Sequence, residues 1–415
     1  MRTWASLWVI LLVMLLLDVY VFLAIRTVSK DKTKTTKRII YSIYWFVAAV
    51  GLLTVGLFPY TSYFHISHFF RNYMFAIAAG LFIFQLIAAI FIAIDDVRRS
   101  ITWIIRRTRK SEKVTLVQAD GSISRSTFLS WLGIGLGGTF FGTLVYGFTN
   151  KYNYKLREVT LSYPNLPEAF KGLKIVQLSD IHSGSFNNKA AVQHGVEMVK
   201  AQNADLILFT GDLVNDRSEE MENYMDVFNQ VKAPMGVFST LGNHDYGDYI
   251  QWESPEAKTA NLEKLKKIHA DLGWRLLMNE HVVLERGGQQ IALLGIENWG
   301  AKGRFPKYGK MAEAYAGTEK YPFKILMSHD PSHWDAEVRI KYPDVDLMLA
   351  GHTHGMQFGV ELPHFKWSPV QWMYKQWAGL YTEGKQQLYV NRGYGFIGYP
   401  GRVGILPEIT VIKFV

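Results

Sequence analysis

The 415-residue sequence contains no cysteine, which excludes disulfide bonds and metal sites built on thiolates. It also has no excess of basic residues in its second part, although the net charge of the whole chain is +9. Residues 1–150 hold 16 Lys and Arg against 6 Asp and Glu, which leaves 29 against 30 for residues 151–415. The second part therefore lacks the positive charge that binds DNA or RNA, and we expect no nucleic-acid partner.

Long apolar runs are missing from residues 151–415 but frequent before them. Four stretches have about the 20 apolar residues that cross a bilayer. They are residues 4–25, 39–59, 73–94 and 127–148. We therefore interpret residues 1–150 as a membrane domain with four transmembrane helices, embedded in a lipid bilayer. Residues 151–172 are interpreted as a linker and residues 173–415 as a second domain.

The charges between the apolar stretches indicate their orientation. The connections after the first and third stretches carry 14 Lys and Arg, whereas the connection after the second carries only Arg71. Basic connections remain in the cytoplasm, so we expect residues 151–415 on the opposite, extracytoplasmic side of a bacterial inner membrane. The segment SRSTFLS (residues 124–130) is similar to a twin-arginine export signal with Ser126 in place of the second arginine; it is otherwise the basic flank of an ordinary span.

Residues 173–415 repeat a pattern in which short apolar runs, rich in β-branched residues, stop at Asp, Asn or His. Such runs are typical of strands buried on both faces, and helical patterns between them indicate an α/β fold. Five runs end in nine polar residues: Asp180, His182, Asp212, Asn243, His244, Asp245, His329, His352 and His354. Because ligands gather beyond the carboxyl ends of strands in open α/β sheets, we expect these side chains at one edge of one sheet.

The types of these residues indicate divalent metal ions. Carboxylate, imidazole and carboxamide groups suit manganese, iron or zinc. Two ions about 3.5 to 4 Å apart share a ligand, and a carboxylate with two oxygens can bridge them. Glycines precede Asp212, Asn243 and His352, which lets the backbone turn sharply and direct these side chains into a common site.

The ordered motifs resemble the signature of the calcineurin-like metallophosphoesterases. They are Asp180-x-His182, Gly211-Asp212, Gly242-Asn243-His244-Asp245, His329 and Gly351-His352-x-His354. The segment GHTHGMQ and the final ILPEITVIKFV are most similar to the membrane-anchored bacterial branch, except that Met356 replaces a glycine. The resemblance implies an α/β catalytic domain built as a two-sheet β-sandwich flanked by helices.

The resemblance also implies a role for each matching residue. One metal ion is expected between Asp180, His182 and His354. The other is expected between Asn243, His329 and His352, with Asp212 bridging the two. His244 is expected to protonate the leaving oxygen or to stabilise the transition state, and Asp245 is expected to orient it.

Two further residues remain open from the sequence. Arg392 follows another apolar run, where it could contact a phosphate oxygen or form a structural ion pair. His333 lies four residues after His329 and could line the site, although the family pattern gives the ligand role to His329. The other histidines outside the motifs are interpreted as structural.

The expected function is a membrane-anchored phosphoesterase with two metal ions, which hydrolyses a phosphomono- or diester by in-line attack of a hydroxide. The short tether to the membrane favours a lipid-linked or envelope phosphoester over soluble ones. The aromatic segment 365–381 could face lipid or cover the core. A non-catalytic receptor or scaffold with the same fold and a metallonuclease are the alternatives; the oligomeric state is not predicted.

We predict that residue 415 lies outside the cytoplasm, because 14 basic residues hold two connections inside. An alkaline phosphatase fused to the carboxyl terminus should be active. A green fluorescent protein exported by the general pathway should be dark at the same position. An inactive phosphatase together with a fluorescent fusion would reverse the orientation.

Overall fold

The computed structural model describes residues 2–60, 68–108, 123–303 and 305–415. The chain separates into two units, Met1–Tyr146 and Gly147–Val415. Three basic residues of the connection after the third apolar stretch, Arg109, Lys110 and Lys113, lie outside the described residues.

The first unit consists of helices long and apolar enough to cross a membrane, as the sequence predicts. They are α1 (Arg2–Val28), α2 (Lys34–Leu57), α3 (His68–Thr108) and α4 (Arg125–Gly147). The side chain of Thr33 caps α2 by accepting a hydrogen bond from the backbone N–H of Thr36. At Gly137, a β-carbon would lie 2.8 Å from the backbone oxygen of Phe84, so this glycine allows α3 and α4 to approach closely.

The second unit contains two mixed six-stranded sheets, which confirms the α/β sandwich expected from the sequence. In spatial order, the first sheet consists of β1 (Lys155–Leu161), β14 (Glu408–Phe414), β2 (Lys174–Leu178), β3 (Leu206–Phe209), β4 (Val237–Ser239) and β5 (Arg275–Leu276). The second consists of β12 (Gly379–Glu383), β13 (Gln386–Val390), β9 (Leu347–Ala350), β8 (Lys324–Met327), β7 (Gln289–Gly295) and β6 (Glu280–Arg286). A separate hairpin consists of β10 (Val360–Leu362) and β11 (Phe365–Trp367).

The central strands β3, β8 and β9 are buried along their whole length because both faces of each sheet are covered. Along β3, Leu206 and Leu208 belong to the core between the sheets, together with Leu347 and Leu349 of β9. The alternate side chains Ile207 and Phe209 pack on the opposite face of the first sheet. That face is covered by helices α5 (Lys189–Lys200), α6 (Met225–Phe228) and α7 (Pro255–Asp271), and the short helices α8 (Met311–Tyr315) and α9 (Arg339–Lys341) complete the unit. The alternation of side chains along a strand thus fills two cores at once.

The linker expected at residues 151–172 needs correction. Strand β1 lies within it and pairs in parallel with β14, from Lys155 opposite Glu408 to Leu161 opposite Phe414. Because β1 is an edge strand, its side chains are mostly exposed or half-buried, and it lacks the continuous apolar run that identifies a central strand.

Candidate metal centre

The polar residues singled out in the sequence follow the carboxyl ends of five strands. These strands come from both sheets and not from one, which corrects the sequence-based expectation: β2, β3 and β4 belong to the first sheet, and β8 and β9 to the second. The packing of the two sheets brings the turns together. Across the sandwich, the backbone N–H of His352 donates a hydrogen bond of 2.9 Å to the carboxylate of Asp180. The site therefore lies where the ends of two packed sheets meet.

The backbone of the turns is strained in a way that orients the side chains. Five candidate ligands have left-handed φ values: Asp180 (52°), His182 (49°), Asp212 (59°), His352 (69°) and His354 (49°). Non-glycine residues adopt this conformation at a cost of about 1–2 kcal/mol each. Backbone hydrogen bonds between the turns, such as Asp180 N–H to Gly211 O at 2.9 Å, maintain it. The fold thus overrides local preference at the residues that the sequence assigns to the metals.

The side chains form two adjoining groups. In one, Asp180, His182 and His354 each offer a ligand atom, and these atoms lie within 4.8 Å of one another. Asp212, His329 and His352 form the other in the same way.

One carboxylate adjoins both groups. The Oδ2 atom of Asp212 is 3.5 Å from His182 Nε2 and 3.1 Å from His329 Nε2. Asn243 joins the second group, with its Oδ1 atom 2.8 Å from His352 Nδ1. The structure therefore brings together all seven residues expected as ligands, with Asp212 between the two groups.

These residues fit a pair of divalent metal ions. Among the described residues, no hydrogen bond of good geometry reaches either ring nitrogen of His182, Nε2 of His329 or Nε2 of His354, and all four atoms are buried. Carboxylate oxygens of Asp180 or Asp212 lie 3.1 to 3.5 Å from the three Nε2 atoms. A buried polar atom without a partner costs about 1–3 kcal/mol, and a coordinated cation would remove this cost. Burial lowers the pKa of His182 to about 3 and the pKa of His354 well below its usual value. Both imidazoles are therefore in the neutral form that binds metals.

The charges of the second group also favour a cation. Burial acts to lower the pKa of His329, but the nearby Asp212 carboxylate raises it to about 10. Burial acts to raise the pKa of Asp212, yet His329 holds it well below its ordinary value. The Nδ1–H of His329 donates to the backbone oxygen of Thr210 at 2.7 Å, so Nε2 is the atom that faces Asp212. Without a metal, a proton on His329 supplies the positive charge that the carboxylate requires.

The carboxylate of Asp245, expected to orient His244, contacts the backbone of the turns. This carboxylate is fully buried and accepts backbone N–H groups of Asp212 (2.9 Å), Leu213 (2.8 Å) and Gly242 (2.8 Å). It thereby fastens the turn after β3 to the turn after β4, because a buried carboxylate requires several donors.

The ring of His244 is positioned by other groups. Its Nδ1–H donates to the backbone oxygen of Asn215 at 2.7 Å, and its backbone N–H donates to Asp212 Oδ1 at 2.8 Å.

Arg392 and His333 have structural partners. The Arg392 side chain is buried and donates to Glu408 and, at 2.6 Å, to Glu361 Oε1, which is the ion pair that the sequence left open. His333 is buried between Ser328, whose Oγ is 3.0 Å from Nδ1, and Glu337, 3.3 Å from Nε2.

Two residues beside the ligands were missed in the sequence. Arg402 is fully buried, and its guanidinium donates to the backbone oxygens of Arg392 (2.7 Å) and His354 (3.3 Å). The Tyr374 hydroxyl is 2.8 Å from His352 Nε2. Neither follows an apolar run. Both lie in loops that reach the ligands only through tertiary contacts, so no local signal in the sequence identifies them.

The chain is similar to known proteins over both units. Residues 1–151 match a family described as "Probable Calcineurin-like phosphoesterase, transmembrane domain", and residues 173–356 match "Calcineurin-like phosphoesterase".

Curated relatives match about three fifths of the chain. A transmembrane protein with metallophosphoesterase domain from Danio rerio is 31% identical over 276 residues, which cover 65% of this chain and 59% of that protein. The uncharacterized metallophosphoesterase YkuE from Bacillus subtilis is 28% identical over 269 residues, 61% of this chain and 83% of that protein. Phosphodiesterase YaeI from Escherichia coli is 28% identical over 246 residues, 58% of this chain and 82% of that protein. The chain thus spans about three fifths of the Danio relative and more than four fifths of these two bacterial ones.

We predict that Asp212→Asn lowers the content of both metal ions, because a neutral carboxamide cannot bridge two cations with two charged oxygens. Elemental analysis of purified full-length protein should find two equivalents in the wild type and clearly fewer at both positions in the variant. Asp226→Asn is the matched control, since Asp226 is exposed and forms an ion pair with Lys189. Two full equivalents in Asp212→Asn would contradict the bridging role.

Proposed function

Because the chain belongs to the calcineurin-like phosphoesterases and carries their transmembrane domain, we propose that it is a membrane-anchored, metal-dependent hydrolase of phosphomono- or diesters. One observation supports this proposal above all. A single carboxylate, Asp212, adjoins two groups of candidate ligands whose buried imidazole nitrogens include atoms without a well-formed hydrogen bond among the described residues. The proposed cofactors are two divalent ions, manganese, iron or zinc.

Bound at these groups, the ions would stabilise negative charge on the phosphoryl oxygens and make hydroxide available near neutral pH. We assign Asp180, His182 and His354 to the first ion. His329, His352 and Asn243 would hold the second, and Asp212 would contact both. The burial of these side chains keeps water from competing for the ligands.

His244 is the proposed acid for the leaving oxygen. The hydrogen bonds of its Nδ1–H to Asn215 and of its backbone N–H to Asp212 fix the ring beside the bridging carboxylate. Because Nδ1 is already bonded, Nε2 is the nitrogen that can donate a proton to the leaving group. The ring is half-buried and lies tilted at 44° against Tyr249, with a centroid distance of 4.5 Å, so part of it is open to a substrate.

The proposed substrate is a lipid-linked or envelope phosphoester, met outside the cytoplasm at a bacterial inner membrane. The four membrane-spanning helices and the basic connections between them support this location. A non-catalytic receptor would not need the complete set of seven ligand residues. A nuclease is disfavoured because the second unit carries nearly equal numbers of acidic and basic residues.

Hydrolysis of generic chromogenic esters tests the proposal. We expect purified full-length protein, loaded with Mn²⁺, Fe²⁺ or Zn²⁺, to release nitrophenol from nitrophenyl phosphate or bis-nitrophenyl phosphate. The Asp212→Asn variant should be inactive under the same conditions. Binding of two metal ions without hydrolysis of either ester would support the receptor instead.

A leaving-group series tests the role of His244. We predict that His244→Ala lowers turnover about 10²- to 10⁴-fold for esters with alkyl leaving groups, the usual contribution of a positioned general acid. The loss should be smaller for nitrophenyl esters, because nitrophenolate leaves without a proton.

Two controls test the assignment of His244 as the acid. Metal content should be unchanged in His244→Ala, and His194→Ala, an equal change on the exposed side of α5, should leave turnover unchanged. A fall in metal content would make His244 a ligand. An equal loss for both kinds of ester would remove its role as the acid.

A further inference from the structure

Exposed apolar side chains are concentrated on one segment of the second unit. Among residues 147–303 and 305–415, the structure describes twelve exposed large apolar side chains, and six of them lie within residues 356–373. They are Met356, Val360, Leu362, Phe365, Trp372 and Met373, which we call the apolar lip. Trp372 is 76% exposed and Leu362 is 60% exposed. Single exposed apolar residues are ordinary, but a concentration of this kind marks an interaction surface.

The hairpin of the lip is oriented with its apolar face outward. Val360 pairs with Trp367 and Leu362 with Phe365, so these four side chains share one face of the hairpin. Glu361 and Lys366 occupy the opposite face.

The polar face is fastened to the body of the unit. Glu361 accepts from Arg157 at 2.8 Å and from Arg392 at 2.6 Å, and Lys366 donates to the backbone oxygen of Ala378 at 2.5 Å. A hairpin of a soluble protein normally buries its apolar face, so this arrangement is reversed. The ion pairs hold the apolar face available for something outside the unit.

The lip is attached directly to the turn that carries two candidate ligands. Ser368 Oγ donates to the backbone oxygen of Gly355 at 2.8 Å, and Thr353 Oγ1 donates to that of Trp377 at 2.7 Å. Tyr374, which directly follows Met373, contacts the ring of His352 through its hydroxyl. What covers the lip therefore lies close to the metal centre.

The composition of the lip and its surroundings indicates a bilayer as the occupant. Tryptophan side chains concentrate at the membrane–water boundary, and lysines beside them attract anionic headgroups. Lys302 donates to the backbone oxygen of Met373, and Lys302 and Lys375 line a cavity of about 190 Å³ beside Tyr374. In addition, the last membrane span ends at Gly147, where the second unit begins, so the polypeptide itself keeps this unit near a lipid surface.

We propose that the apolar lip inserts into the lipid surface, and that the metal centre beside it accepts phosphoester lipids whose acyl chains remain in the bilayer. This inference rests on the proposed phosphoesterase function. In the reaction, the oxygen of water forms a bond to phosphorus, the bond to the leaving oxygen breaks, and that oxygen departs with a proton. The lip contributes no group to these steps; it determines which substrates reach them.

Insertion is tested without reference to activity. Because the chain has no cysteine, Leu362→Cys provides a single site for a spin label in full-length protein reconstituted into phosphatidylethanolamine–phosphatidylglycerol vesicles. Ile340→Cys is the matched control, since Ile340 is an apolar residue that is 71% exposed outside the lip.

The label at position 362 should collide more with oxygen, which dissolves in lipid, than with a water-soluble nickel complex. The label at 340 should show the reverse. Equal access of the nickel complex at both positions would overturn the proposal. Protection at 362 that disappears when protein is diluted at constant lipid would assign the lip to a second copy of the chain.

Substrate entry is tested with two phosphodiesters that share a methylumbelliferyl leaving group and differ in acyl chains. One carries two oleoyl chains in vesicles, and the other carries two butyroyl chains in water. The double variant Leu362→Asp, Phe365→Asp should lower hydrolysis of the oleoyl lipid at least about tenfold, since two buried apolar contacts are lost, and leave the butyroyl ester unchanged.

A second double variant is the control for this experiment. Val283→Asp with Ile340→Asp, an equal change at exposed residues outside the lip, should affect neither ester. Equal loss on both esters, or no loss on either, would overturn the role of the lip. If the wild type hydrolyses neither ester, the phosphoesterase function fails, while the spin-label result still decides insertion.

Discussion

The buried carboxylate of Asp212 is the constraint on which the site depends. Its Oδ2 atom faces the imidazoles of His182 and His329, and its Oδ1 atom accepts the backbone N–H of His244 at 2.8 Å. This position requires Gly242, because a β-carbon there would lie 2.2 Å from Asp212 Oδ1. It also requires Asp245, which accepts the N–H of Asp212 and joins two turns. Removal of any of these contacts would move the one group that adjoins both sets of ligands.

The two sheets supply what a single sheet could not. Asp180 and Asp212 come from the first sheet and His329 and His352 from the second, so each proposed metal ion has ligands from both sides of the sandwich. Left-handed backbone at five candidate ligand residues and buried nitrogens without a well-formed hydrogen bond both raise the free energy of the metal-free protein. Because bound cations would relieve the second cost, metal binding and stability of the second unit are coupled.

The residues predicted as ligands lie together in the fold, whereas the contacts around them could not be predicted from the sequence. Asp180, Asp212 and His352 each follow an apolar run, and this local signal does not depend on the order of the strands. Strand order itself depends on pairing between distant segments, as where β14 inserts between β1 and β2, so the sequence suggested one sheet edge where two sheets meet. The partners of Asp245 and Arg392 likewise depend on which turns the fold brings together. The alternating residues of the hairpin are visible in the sequence, but the direction of its apolar face depends on what Glu361 contacts and could not be predicted.

Anomalous diffraction from crystals of the Mn²⁺-loaded protein tests the central claim most directly, because it locates each ion independently of activity. The account expects two peaks on either side of the Asp212 carboxylate, one next to Asp180, His182 and His354 and the other next to His329, His352 and Asn243. A single peak, or two peaks of which either lies out of reach of Asp212, would contradict it.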